Sequence, residues 1–254
     1  MPDIYEVIHG ICAAFPEVTE EAHGRHREYR VRGKSFANLT VNHHGDERLA
    51  LLLSASQETQ QMYVESAPKV FFVPPYVGHR GWYGVDLASD IRWQRVGELA
   101  RDAYTRTAPV SLAKQAVVPA DIPAPDSVDV RDIDPLFSPA SQAALERLRQ
   151  ICLAFPEVSE GQSFGAPTFK AGKKTFVEFN TYSGGPAALF RVGAERQVAL
   201  TADPRFDLPP YMGPKGWIRL SLDERFDDAE IRALADESYR HFALKRMLKA
   251  LDGQ

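Results

Sequence analysis

The chain has 254 residues, 44% apolar and 25% charged, with a formal charge of −4; it is about twice the commonest domain length and ordinary in composition, which excludes collagen-like, coiled-coil and wholly disordered readings. No apolar run approaches the ~18 to 20 residues of a membrane helix, and the charge balance gives no global attraction to nucleic acid or anionic lipid. An acidic opening, Met1-Pro2-Asp3, and only two cysteines predict a cytoplasmic protein with no membrane contact and no disulfide framework.

Ile4, Val7, Ile8, Ile11, Cys12 and Phe15 recur at helical spacing and stop before Pro16, which predicts an amphipathic first helix. Tyr29 to Val31, Phe36 to Val41 and Arg48 to Leu53 predict strands, the last two joined across His43-His44-Gly45-Asp46. Trp82 to Leu87 alternates as one more strand, and Trp93 to Lys114 reads as a closing helix. Then come Val117 to Ser138, where proline density prevents regular helix and predicts an extended connector. This connector carries one basic and five acidic residues, whereas 1–116 carry 13 against 14 and 139–254 carry 16 against 15. The two flanking segments are therefore nearly neutral.

After Ser138-Pro139, an N-cap and first-turn proline, the order begins again. Leu145, Leu148, Ile151, Cys152 and Phe155 form a helix; Thr168 to Lys170, Thr175 to Asn180 and Ala187 to Val192 form strands, with Ser183-Gly184-Gly185-Pro186 as a turn. Trp217 to Leu222 is the returning strand and Asp228 to Leu251 the final helix. Direct identity supports duplication, because residues 11–20 and 151–160 agree at eight of ten positions at an offset of 140. At an offset of 135, Pro74-Pro75-Tyr76-Val77-Gly78-His79-Arg80-Gly81-Trp82 pairs with Pro209-Pro210-Tyr211-Met212-Gly213-Pro214-Lys215-Gly216-Trp217. So long a period predicts two complete domains, 1–116 and 139–254, joined by 117–138. Each is α+β, a small antiparallel sheet with helices on one face.

The helix end Phe-Pro-Glu-Val, the hairpin Gly172-Lys173-Lys174-Thr175-Phe176 and the Pro-Pro-Tyr segment ending in Lys215-Gly216-Trp217 resemble the MmcQ/YjbR family. The second copy is the closer match. The first has Gly33-Lys34-Ser35-Phe36 and Arg80-Gly81-Trp82 but His23-Gly24-Arg25 in place of Phe164-Gly165. The resemblance implies a frataxin-like α+β domain, a non-enzymatic role and DNA binding in a double-wing arrangement.

Candidate phosphate contacts are Lys173, Lys174 and Lys215 in the second copy and Arg32, Lys34 and Arg80 in the first, although solvated turns are commonly lysine-rich in any case. Arg240, Lys245, Arg246 and Lys249 are read as complements to the dipole of the last helix. Tyr76, Trp82, Tyr211 and Trp217 could instead line a cleft between the repeats for a small hydrophobic or aromatic ligand, the ordinary alternative being tryptophan as a core plug. His23, His26, His43 and His44 match no standard zinc spacing, and their counterparts Ser163, Ala166, Ser183 and Gly184 are no ligand set, so no metal or cofactor is expected. Cys12 and Cys152 fall on apolar stripes as buried thiols, and Glu17, Glu20, Glu157 and Glu160 are assigned to exposed turns. Lacking P-loop, dinucleotide and H-E-x-x-H motifs, the chain is expected not to be an enzyme.

Overall fold

A computed structural model describes residues 1–182, 184–222 and 227–253; Ser183 of the expected glycine turn lies outside them. The chain divides into two compact units, Met1–Asp134 and Pro135–Gln254. In the first, α1 (Ile4–Cys12) is opened by a capping box in which the Asp3 carboxylate accepts from Glu6 N at 2.8 Å and Glu6 accepts from Asp3 N at 3.1 Å. A six-stranded antiparallel sheet follows, of β1 (Val18–His23), β2 (His26–Val31), β3 (Lys34–Val41), β4 (Leu49–Leu53), β5 (Phe71–Phe72) and β6 (Tyr83–Asp86). Its strand order is β1-β2-β3-β4-β6-β5, with α2 (Gln57–Ser66) inserted between β4 and β5. The closing segment breaks at Ala108-Pro109 into α3 (Trp93–Thr107) and α4 (Val110–Ala113), and α3 packs on α1 and the sheet.

The connector is not wholly extended. Residues 130–133 form one helical turn, α5 (Val130–Ile133), and the stretch lies along the first unit. Ile122 and Val118 cover Gly97, Asp126 N donates to Pro2 O at 3.0 Å, and Arg131 meets Glu47 at 3.1 Å. Its last residue, Asp134, is buried, with Arg25 at 3.3 Å and the Asn42 amide at 2.7 Å.

The second unit repeats the plan: α6 (Pro139–Cys152), β7 (Val158–Ser163), β8 (Ala166–Ala171), β9 (Lys174–Asn180), β10 (Ala187–Arg191), α7 (Ala194–Leu200), β11 (Phe206–Asp207), β12 (Trp217–Ser221), α8 (Asp228–Phe242) and α9 (Lys245–Leu251). Its strand order is β11-β12-β10-β9-β8-β7, and α6 and α8 pair over the core. Ser138 caps α6 and Pro139 opens it, as the sequence predicts.

One packing motif carries each core. The Phe15 ring lies 5.1 Å from Tyr104, which stands 5.4 Å edge-on to Phe36 and donates its hydroxyl to Pro16 O at 2.7 Å. Phe155, Tyr239 and Phe176 repeat this at 5.0 and 5.4 Å, with Tyr239 donating to Pro156 O at 2.8 Å. Satisfying a buried tyrosine with the carbonyl beside the helix end ties the last helix to the first.

Three expectations need correction. Glu20 and Glu160 lie on the polar edge strands β1 and β7, not in turns; Glu20 meets His9 and Arg27, and Glu160 accepts from Arg149 at 2.7 Å. The final helix is interrupted at Ala243-Leu244, so Lys245 and Arg246 open α9 and cannot complement a C-terminal dipole. Arg246 is held by Glu157 at 2.6 Å, and Arg240 by Asp236 and Asp252, both at 2.8 Å.

Candidate functional site

The Pro-Pro-Tyr segments make the same turn in both units. Each closes in a 3₁₀ turn, Gly78–Arg80 or Gly213–Lys215, followed by a left-handed glycine, Gly81 or Gly216. A Cβ on Gly81 would lie 2.6 Å from Ala55 O, so glycine is required by approach as well as by its φ of +89°. A glutamine clamps each turn: Gln60 of α2 donates to Gly78 O and Trp82 O at 2.7 and 2.5 Å, and Gln197 of α7 to Gly213 O and Trp217 O at 2.8 and 2.6 Å. Neither glutamine stands out in the sequence, since their offset of 137 falls between the two offsets at which the repeat is visible.

Clamped this way, each turn presents a tyrosine in the left-handed region, Tyr76 with φ 65° and Tyr211 with φ 62°. A bulky residue there is a backbone outlier, which is sustained where surroundings over-determine it. Both side chains are exposed, 66% for Tyr76 and 90% for Tyr211. Tyr76 leans on the β3–β4 loop, its ring 5.0 Å from His44 and 6.3 Å from His43. Tyr211 has no histidine counterpart. Of the two tryptophans, Trp217 is buried against Phe242 at 5.9 Å and Trp82 is half-buried. Trp217 thus serves as packing, and the rings offered to solvent are the tyrosines.

Register brings the basic residues of the second unit together. Ala171 faces Lys174 across a two-residue turn, so Lys173 and Lys174 stand at the start of β9. That end lies beside the end of β10, where Phe190 faces Val177, and Arg191 of β10 faces Trp217 at the start of β12. Lys215, two residues before Trp217, therefore emerges at the same end of the sheet, two strand spacings or about 10 Å across. Lys34 and Arg80 hold the matching places in the first unit, where Val31 faces Lys34 and Leu53 faces Tyr83. All five are exposed, and among the described residues none pairs with a carboxylate. Arg32 differs, because Glu17 accepts from it at 2.9 Å.

The histidines separate into two groups. His23 lies with Glu21 and Glu28 at 3.7 and 3.6 Å, and Glu28 is already bound by Arg30 at 2.8 Å. His26 sits 5.6 Å from His43 and accepts from Val41 N at 3.2 Å; burial, with Arg25 beside it, pushes its pKa down to about 3. Cys12 and Cys152 are buried, and burial pushes both thiols up, away from the reactive thiolate. Among the described residues, no helix is long and apolar enough to cross a membrane.

A family model described as YjbR matches residues 13–106 and again 153–241. Among solved structures, a Deinococcus radiodurans protein carrying the domain DUF419 is similar, at 17% identity and a TM-score of 0.36, over 50% of this chain and 96% of its own. No curated protein matches.

Proposed function

From the premise that the chain belongs to the YjbR family, with the family domain present twice, we propose that it is a non-enzymatic protein that binds nucleic acid by its phosphates, mostly through the second unit. The observation that carries this reading is the gathering of Lys173, Lys174 and Lys215, unpaired with any described carboxylate, at one end of one sheet. Local arrangement thereby supplies a cationic patch that net charge does not, and release of counterions from phosphate would supply the affinity. Tyr211, four residues from Lys215 and 90% exposed, offers a flat face on which a base could stack. The first unit contributes less, because its hairpin arginine is neutralised by Glu17 and only Lys34 and Arg80 remain.

Titrating a labelled duplex with the intact protein over a salt series tests the reading. Changing Lys173, Lys174 and Lys215 together to Gln is expected to weaken binding to all sequences and to flatten the slope of log K against log salt by about two to three units. The Lys34 and Arg80 pair should change it less. No measurable affinity at low salt, or a slope untouched by the triple change, would overturn the proposal. The exposure of Tyr76 and Tyr211 would then favour the alternative, a small flat aromatic ligand.

A further inference from the structure

The first hairpins of the two repeats carry different chemistry on the same backbone. Side chains of β1 alternate between faces, and Glu20 reaches His9 of α1, so Glu21 and His23 point to the opposite, outer face of the sheet. Register sets Glu21 directly across from Glu28 of β2, a position in which like charges repel. The twin hairpin holds Gly161, Ser163 and Thr168 at these three places. The fold itself therefore does not require the charges.

His23 Nε2 stands 3.7 Å from Glu21 Oε2 and 3.6 Å from Glu28 Oε2. Both separations are beyond hydrogen-bond reach. Two ligands bonded at about 2.0 to 2.2 Å to one tetrahedral ion stand about 3.3 to 3.6 Å apart, so the histidine is spaced from each carboxylate much as from a fellow ligand. Among the described residues, these three are the one such group of His, Cys, Asp or Glu whose ligand atoms all lie within 4.8 Å of one another. Arg30 steadies the carboxylates. One terminal nitrogen donates to Glu28 Oε2 at 2.8 Å, and Nε lies 3.6 Å from Glu21 Oε1, the other oxygen of that carboxylate. A carboxylate oxygen has two lone pairs, so Glu28 Oε2 keeps one for an ion. Outer hydrogen bonds of this kind orient the ligands of bound metals.

We propose that Glu21, His23 and Glu28 form a binding site for one first-row divalent cation, zinc foremost. One imidazole with two carboxylates suits zinc, whereas magnesium and calcium prefer oxygen donors alone. Glu21 and His23 are exposed, which leaves a fourth position open to water or to a donor from outside the chain. An ion held there replaces the repulsion between Glu21 and Glu28 with a shared attraction and pins the edge strand β1 to β2. Histidine spacing gives no hint of the site, because two of its three ligands are glutamates brought opposite by register. The twin hairpin cannot repeat it, and it is independent of the lysines at the sheet end.

Calorimetric titration of the whole chain, first stripped with EDTA, tests this with zinc chloride and, for comparison, magnesium chloride. One zinc per chain is expected to bind saturably, and magnesium about tenfold more weakly or worse. His23→Ser and Glu21→Gly, the residue types of the twin hairpin, should keep the fold and each lower zinc affinity by about tenfold or more. Changing His43 and His44 together to Ala should leave it unaltered. Absence of saturable zinc binding, an affinity untouched by His23→Ser, or loss through the His43 and His44 change overturns the proposal. Magnesium binding as tightly as zinc overturns it too, by showing attraction to surface charge alone, and that comparison decides even if a variant fails to fold.

Discussion

His26 is half-buried beside the Arg25 guanidinium, and its ring nitrogen accepts a backbone N–H, so the fold favours the neutral imidazole. Its folded pKa of about 3 lies below the ordinary 6.5. Stability from keeping it neutral is therefore whole above pH 6.5 and is lost as pH falls from there towards 3, by about 1.4 kcal/mol per pH unit. Urea unfolding at pH 7 and pH 5 should show the first unit weakening, and His26→Gln, whose amide oxygen can still accept, should lessen the difference. A pH dependence identical in the two chains would count against this account. Phe15 and Phe155 are 1% and 5% exposed, each wedged against a tyrosine and a second phenylalanine. Truncating either to Ala should cost about 3 to 5 kcal/mol, read from the denaturation midpoint. Both phenylalanines were legible in the sequence, since they end an apolar helical stripe just before a proline. Gln60 and Gln197 were not, because a side chain that clamps a turn from another element is set by tertiary approach, which has no local pattern.

The helical stripes and the alternating strands are legible because burial on one face imposes a period. Elements without a buried face carry no such signal. None of the residues of α2 is fully buried; it is fixed by the Ser56 cap on Thr59 N and by Tyr63 against Phe71 and Tyr83. The polar edge strand β1 is a strand through its pairing with β2 alone. The silent α2 nevertheless carries one clamp, Gln60, and α7 carries the other, Gln197. Replacing Gln197 by Ala would strand two carbonyls in a buried setting, and the expected loss is about 1 to 3 kcal/mol, with faster hydrogen exchange confined to 208–217. Gln60→Ala should act alike on 73–82. Unchanged exchange in those segments would show that the turns hold without their glutamines.

At the scale of the whole chain, duplication has produced two units with the same core triad and the same clamped turn but different surfaces. Separating them at 134/135 tests the division of labour. Residues 135–254 alone should retain the salt slope of the intact chain to within about one unit, while residues 1–134 should show a smaller slope. An excised second unit that folds, by circular dichroism, but ignores DNA bound by the whole protein would contradict the assignment. The two cysteines follow the same duplication, one sealed at the end of each first helix with its thiol kept protonated. An alkylating reagent can therefore reach either sulfur only when that unit opens. Because the two thiols fall in peptides of different mass, the native protein holds a matched pair of internal clocks, and the labelling rate at Cys12 against that at Cys152 times the breathing of each half within a single sample, without any engineered probe.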